Sequence, residues 1–215
     1  AAHHGYNRRA MSQPTVAAII VSYNTRALLG DCLRSLRACT LPLRVIVVDN
    51  ASRDGSAELV REQFPEAELI DAGRNAGFAG GTNIGLAALG ALPQFVLILN
   101  PDTVVLPGAV EALVAFLEAH PRVGLVGPRL LNPDGSWQPA AFRFPTLLMT
   151  ALDLFPPGEA LPGRLYNSWW HGRYPQDGGD APFAIDHPLG ACMLVRGDLI
   201  ACVGAMDERY FMYSE

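Results

Sequence analysis

A carboxylate at the end of a predicted buried strand is the first residue of this sequence that could do chemistry. Residues Phe95 to Leu99 are five consecutive apolar residues, which is typical of a strand buried on both faces in a parallel sheet. Pro101 cannot donate to a strand ladder, so the strand should end there. Asp102 would then lie at a strand's carboxyl end, where open α/β sheets bind ligands. This carboxylate suits a divalent cation that also holds a diphosphate, although Asn100-Pro101-Asp102 could equally be an ordinary turn.

Polar residues follow other apolar segments of the chain in the same way. Because the carboxyl ends of parallel strands meet at one edge of a sheet, we expect these residues to converge on one crevice. They are Tyr23 and Asn24, then Asp49, Asn50 and Ser52, then residues 75–83, and finally Asn100 and Asp102.

Two of these groups have more than one interpretation. Gly77, Gly80 and Gly81 would let a ligand approach the backbone closely, and free amides at the following helix start would favour a phosphate. The same glycines could simply ease entry into a helix, and they match neither G-x-G-x-x-G nor a P-loop. Asp49 could bind a ribose, accept an N–H from a base edge, or serve as a turn or cap acid.

The elements that must position these residues alternate between strand and helix. The apolar pattern predicts strands at 16–21, 45–48, 66–70 and 95–99, and helices at 26–38, 56–64 and 82–92. Ser56 is the expected cap of the second helix. A further helix should begin at Pro107 and end at His120-Pro121. This alternation predicts a single α/β domain with a mostly parallel sheet, whose nucleotide-binding half covers residues 14–122.

The pattern changes in the second half, residues 123–215. Strands are expected at 123–131 and 187–196, and a short helix at 198–203. The irregular stretch 142–186 is typical of a binding loop or lid. Trp169 and Trp170 could stack on a sugar or pack in the core.

Composition limits the class of protein. Of 215 residues, 50% are apolar and 17% charged, which indicates a folded domain. The net charge is −5, and the chain has no lysine and no basic run. A nucleic-acid partner is therefore not predicted. No apolar window is long enough to predict a membrane span. Residues 1–13 are expected to be a disordered arm or an expression remnant, without a signal peptide.

The four cysteines lack zinc or disulfide spacing and are predicted to be reduced core residues, consistent with a cytoplasmic chain. Cys32 and Cys39 are expected on one buried helix face. The other two are Cys192 and Cys202.

Taken together, the motifs resemble those of the family 2 inverting glycosyltransferases, and in particular the rhamnosyltransferase-like subgroup. The likeness runs from about residue 16 to the last residue, and its segments occur in the family order. These are VSYN at 21–24, VDNAS at 48–52, NAGFAGGTNIG at 75–85, LNPD at 99–102 and GAMDERYFMYSE at 204–215.

The resemblance implies a GT-A fold, a Rossmann-like, mostly parallel sheet flanked by helices. It implies a nucleotide-diphosphate-sugar donor, with dTDP or UDP as the nucleotide, and a divalent cation, Mn or Mg. A sugar such as rhamnose would pass with inversion to a glycan or lipid-linked saccharide acceptor in cell-envelope or polysaccharide synthesis. The enzyme would be cytoplasmic, and peripheral association with the inner face of the membrane is left open.

The resemblance also implies residue roles. Tyr23, Asp49 and Asn50 would form the pocket of the donor base, whereas Asn75, Gly80 and Asn83 would border the ribose and diphosphate. Asp102 would bind the cation, and Asn100 would stand at the other acidic place of the family's Asp-x-Asp. Residues 123–215 would form the acceptor-side half, in which Asp186-His187 could border an acceptor pocket or be structural.

The catalytic base is the role that the resemblance leaves least defined. The family's last motif ends in Glu-Asp, and the Asp is usually the base that deprotonates the acceptor hydroxyl. This sequence ends at Glu215, so either Glu215 is the base or the chain is C-terminally incomplete. We expect the latter, because a domain seldom ends inside a patterned segment. Asp207 and Glu208 are expected to be helix-entry acids.

Two other functions are alternatives to sugar transfer. A nucleotide-sugar-binding but inactive module would fit the missing terminal acid. An oxidoreductase with a dinucleotide-binding fold is disfavoured, because the first strand lacks the glycine fingerprint.

Overall fold

The computed structural model of the chain describes residues 15–154, 172–174 and 181–211. Trp169, Trp170 and Glu215 lie outside the described residues. The strands are β1 (Val16–Ser22), β2 (Leu43–Asp49), β3 (Glu68–Asp71), β4 (Phe95–Leu99), β5 (Leu125–Val126), β6 (Leu130–Leu131), β7 (Trp137–Gln138), β8 (Ala141–Phe142), β9 (His187–Pro188) and β10 (Cys192–Arg196). The helices are α1 (Arg26–Leu36), α2 (Ser56–Gln63), α3 (Gly77–Ala88), α4 (Ala109–Ala119), α5 (Leu147–Leu154) and α6 (Gly197–Val203).

The central sheet has the strand order β3-β2-β1-β4-β10-β5. The first four strands of that order are parallel, and β10 runs antiparallel to both β4 and β5. Two short antiparallel pairs, β6 with β7 and β8 with β9, lie outside it. The predicted fold class, α/β with a mostly parallel sheet flanked by helices, is confirmed.

Helices cover both faces of the sheet because side chains alternate along each strand. Ile20 and Leu97 belong to a core shared with α1, α2 and α4. Their neighbours Ile19 and Ile98 belong to a second core shared with α3 and α6. All five residues of β4 are buried, as its unbroken apolar run predicts. Among the described residues, no helix is both long and apolar enough to cross a membrane.

Three local predictions were wrong. The glycine-rich segment was expected to precede a helix beginning at residue 82, but α3 already begins at Gly77. Ser56 is not the cap of α2; Gly55 holds that position, and the Ser56 hydroxyl donates to Asp54 Oδ1 at 2.6 Å. The stretch 187–196 is not one strand, because β9 and β10 belong to different sheets.

The cysteine prediction holds only in part. All four cysteines are free thiols, as predicted, but only Cys32 and Cys192 are buried; Cys39 is half-buried beyond the end of α1 and Cys202 is exposed. Cys39 does not lie in a purely apolar core, because its Sγ donates a hydrogen bond to Glu111 Oε1 at 3.3 Å.

Candidate functional site

The polar residues predicted from the strand ends do lie along one edge of the sheet. Ser22 pairs in register with Asp49, and Asp49 with Asp71, while Ile20 pairs with Leu99 directly before Asn100. Neighbouring strands are about 4.8 Å apart, so the backbones at Asp49 and Asn100 are separated by two strand spacings, roughly 10 Å. This distance suits a ligand that spans from a base to a diphosphate.

The tip of β2 carries two buried polar side chains with unpaired oxygen atoms. Asp49 is 4% exposed and Asn50 is 2% exposed. Asp49 Oδ2 accepts the Ser52 amide at 3.0 Å. The second carboxylate oxygen of Asp49, Oδ1, and the side-chain oxygen of Asn50, Oδ1, have no hydrogen-bond partner among the described residues. Because buried polar atoms in proteins are nearly always paired, each unpaired oxygen indicates a place where a ligand or water would donate.

The loops after β1 and β2 brace each other beside this pair. The Asn24 amide donates to Ser52 Oγ at 2.9 Å, and Asn24 Oδ1 accepts the Arg53 amide at 2.8 Å. Asn24 and Ala51 both have positive φ, at 53° and 61°. Such conformations are costly outside glycine and are found where surrounding contacts hold them. Tyr23 lies in the same loop with 48% of its side chain exposed.

The start of α3 is joined to the tip of β2. Asn50 Nδ2 donates to Gly77 O at 3.0 Å and to Asn75 Oδ1 at 3.4 Å, while the Gly77 amide donates to Asn75 Oδ1 at 3.0 Å. The Phe78 amide donates to Phe211 O at 3.0 Å. The expectation of free amides at this helix start is therefore wrong for Gly77 and Phe78, since both amides are already bonded within the chain.

Close packing, rather than ligand approach, explains two of the glycines in α3. A Cβ at Gly81 would lie 2.5 Å from Val21 Cγ1, and one at Gly85 would lie 2.5 Å from Ile19 Cγ2. A Cβ at Gly80 would lie 2.9 Å from Ala76 Cβ, at the N-cap of the same helix, and 4.0 Å from Glu208 Oε2.

The Asp102 carboxylate is exposed at the tip of β4. No described residue donates a hydrogen bond to it. The turn that carries it is held in place: the Asn100 amide donates to Ala191 O at 2.8 Å, and the Thr103 amide donates to Asn100 O at 3.2 Å. Cys32 Sγ also lies 3.7 Å from Asn100 O. Burial, then the neighbouring Cys192 and Asp102, raises the pKa of the Cys32 thiol to about 12.

The surroundings of Asp102 fit one kind of metal site and not another. Within residues 15–154, 172–174 and 181–211, no group of three or more His, Cys, Asp and Glu side chains could hold a metal ion. A cation enclosed by protein side chains does not fit these residues. A magnesium-like cation held by one exposed carboxylate, with phosphate oxygens and water as its other ligands, does fit Asp102.

The segment Gly204–Phe211 lies against α3, and sequence reasoning did not predict this contact. Asn83 bonds to Met206 and Glu208, so its amide group is engaged by this segment. Asp207 pairs instead with Arg209, whose hydrogen bonds hold the pKa of Asp207 below its ordinary value. The only sequence signal was that this segment and residues 75–85 belong to one set of motifs. The implied role of Asn83 at the ribose and diphosphate stays a prediction.

In the half of the chain predicted to face the acceptor, Asp186 and His187 both have structural partners. Asp186 Oδ2 accepts the Phe144 amide at 2.9 Å, and Asp186 Oδ1 accepts the Tyr174 hydroxyl at 3.2 Å. The His187 ring stacks on Phe142 and Phe144, with centroids 5.6 and 5.9 Å apart. These contacts account for both residues without an acceptor.

Comparison with known proteins gives a consistent result. The model of the family described as Glycosyl transferase family 2 matches residues 17–202. An N-acetylglucosaminyl-diphospho-decaprenol L-rhamnosyltransferase of Mycobacterium tuberculosis is 31% identical over 209 residues, which is 92% of this chain and 66% of the relative. The low-salt glycan biosynthesis hexosyltransferase Agl10 of Haloferax volcanii is 29% identical over 79% of this chain and 50% of its own length. The chain thus spans between half and just under two thirds of these relatives.

Solved structures share the fold at lower identity. A mannosyltransferase of Pyrobaculum calidifontis, in complex with GDP-Man and Mn²⁺, superposes with a TM-score of 0.59 at 22% identity, over 92% of this chain and 49% of that one. TarS of S. aureus in complex with UDP gives a TM-score of 0.58 at 17% identity, over 92% and 51%.

Proposed function

Since this chain belongs to glycosyltransferase family 2, we propose that it transfers a sugar, with inversion, from a nucleotide-diphosphate donor to a glycan or lipid-linked saccharide. The observation that carries the proposal is the unpaired, buried Asp49 Oδ1 on the same sheet edge as the exposed carboxylate of Asp102. One position suits a base and the other suits a diphosphate with its cation.

At the β2 tip, Asp49 Oδ1 would accept the N3–H of uracil or thymine. Its second oxygen is already fixed by the Ser52 amide, so the carboxylate is oriented before the donor arrives. A site built in advance loses less free energy to ordering when it binds. Asn50 Oδ1 offers a second acceptor, and the exposed ring of Tyr23 would lie against the base.

At the β4 tip, Asp102 would hold a divalent cation, Mn or Mg, together with the donor diphosphate. Asn100 occupies the place of a second carboxylate and would contribute an amide oxygen or a bond to bound water. The cation would offset the negative charge that develops on the departing diphosphate. Asn75 and Gly80 would border the ribose and diphosphate between the two tips.

The acceptor hydroxyl must lose its proton as it attacks the anomeric carbon, which requires a positioned base. We assign this role to Glu215 from the family resemblance; it lies outside the described residues. The acceptor is proposed to be lipid-linked because the name of the M. tuberculosis relative includes a diphospho-decaprenol. Such an acceptor would bring the enzyme to the inner face of the membrane.

Calorimetric titration of UDP and dTDP, with and without Mn²⁺, tests the proposal. We expect binding that Mn²⁺ strengthens in the wild type, and loss of the Mn²⁺-dependent part in Asp102→Ala. Asp31→Ala is the matched control, because it removes the same charge from a surface pair with Arg34 on α1. Absence of binding by either nucleotide, or an unaltered Mn²⁺ effect in Asp102→Ala, would contradict the proposal. Nucleotide binding without release of sugar from UDP- or dTDP-sugars would favour the inactive module.

A further inference from the structure

Asn83 holds the segment Gly204–Phe211 by two-point pairing. Its Oδ1 accepts the Met206 amide at 2.9 Å, and its Nδ2 donates to Met206 O at 2.9 Å. The side chain thereby pairs with the Met206 backbone as a neighbouring strand would. The same Nδ2 also donates to Glu208 Oε1 at 2.9 Å.

A second contact holds the far end of the segment. The Phe78 amide donates to Phe211 O at 3.0 Å. Gly77 makes this approach possible, because a Cβ there would lie 2.3 Å from Phe211 O, and its φ of +75° also favours glycine. The segment is therefore attached to α3 near both of its ends, at Met206 and at Phe211.

The same turn of α3 contacts the proposed base pocket from its other side. Gly77 O accepts Asn50 Nδ2, and the Gly77 amide donates to Asn75 Oδ1. This turn thus contacts both the β2 tip and the segment Gly204–Phe211.

We propose that Asn83 is a positioning residue, which fixes Gly204–Phe211 on α3 beside the proposed base pocket and does not itself contact the donor. This rests on the function proposed above. The hydrogen-bond capacity of the side chain favours this role over a direct contact with the diphosphate. A primary amide has two N–H donors, and both are used, by Met206 O and by Glu208 Oε1. A phosphate only accepts hydrogen bonds, so Asn83 could serve it only by releasing the segment.

Two substitutions of Asn83 separate these roles. Asn83→Asp keeps the shape and the acceptor for the Met206 amide, but removes both donors and sets a carboxylate against Glu208. Asn83→Ala removes every contact of the side chain. The matched control is Asn132→Asp, at an amide that donates only to Ser136 Oγ in the β6–β7 turn. Because Asn83 is half-exposed, both variants are expected to fold, which circular dichroism would check.

Three measurements are made on the wild type and each variant: nucleotide affinity by calorimetry with UDP and dTDP, kcat for sugar release from the donor, and hydrogen exchange of the peptide covering 204–211. We expect affinity within about twofold of the wild type, kcat lower by about tenfold or more, and exchange faster by about tenfold or more. Asn83→Asp loses two hydrogen bonds to the segment and Asn83→Ala loses three. The control should change none of the three.

Affinity that falls in parallel with kcat would overturn the inference, because Asn83 would then be a donor contact. Unaltered exchange in Asn83→Ala would overturn it as well. A wild-type chain that binds no nucleotide would contradict the proposed function instead. In that case faster exchange in the variants would still support the attachment of the segment, and unaltered exchange would refute it.

Discussion

Replacing Asp49 by asparagine should reverse the preference of the proposed base pocket for its nucleotide. Asp49 Oδ2 accepts the Ser52 amide, and only an oxygen can continue to do so. The new amide nitrogen in Asp49→Asn must therefore take the position of Oδ1, which is the unpaired atom. A hydrogen-bond acceptor facing the base becomes a donor, with almost no change in shape.

The magnitude follows from the chemistry of the base edge. Uracil presents N3–H, a donor, which loses its partner and meets a second donor in the variant. A hydrogen bond to a charged group contributes about 1.5–3 kcal/mol, so UDP should bind about 10- to 150-fold more weakly. Cytosine presents N3 as an acceptor, which the carboxylate repels and the new amide can satisfy. CDP should therefore bind the variant more tightly than it binds the wild type.

Calorimetric titration of UDP and CDP against both proteins, at one Mn²⁺ concentration, gives the ratio of affinities. Asp31→Asn serves as the control for loss of one negative charge. The thermal unfolding midpoint of Asp49→Asn should not fall, because the substitution removes a buried charge while the Ser52 bond remains. A UDP-to-CDP ratio within twofold of the wild-type ratio would refute the assignment of Asp49 to the base.

Three further predictions concern stability and reactivity. Burial would raise the pKa of Glu111, but hydrogen bonds from Thr40 and others outweigh it and lower this pKa to about 2. Because the pKa of Glu111 is lower in the folded protein, ionised Glu111 contributes its full stability above about pH 4.5 and loses it as pH falls toward 2. In Glu111→Gln, the midpoint of urea unfolding should therefore change less with pH over this range than it does in the wild type. Gly81→Ala should destabilise by about 1–3 kcal/mol through overpacking on Val21, and adding Val21→Ala should recover part of this in the same urea titration. Iodoacetamide should modify the exposed Cys202 before the buried cysteines, as peptide mass spectrometry would reveal.

The parallel half of the fold could be predicted from the sequence because its strands are buried on both faces. Apolar runs such as Phe95 to Leu99 identify such strands directly, and parallel pairing then brings their polar ends to one edge. The neighbour of β4 on the other side could not be predicted. It is β10, which runs antiparallel and comes 92 residues after Asn100, beginning at Cys192. Pairing between segments so distant is decided by tertiary packing, for which a local pattern carries no signal.

In the candidate site, the role of the glycine-rich segment could not be predicted from the sequence pattern. Glycines before a helix are compatible with phosphate binding, with a close backbone contact and with helix–sheet packing, and the sequence does not distinguish these. The structure assigns Gly77 to the contact with Phe211, and Gly81 to packing on Val21. The Gly77 and Phe78 amides are bonded inside the chain, so the start of α3 has fewer free N–H groups for a phosphate than the sequence predicts. The negative charge of the proposed diphosphate would then be balanced mainly by a cation at Asp102. Mn²⁺ should therefore increase the affinity for UDP by a large factor.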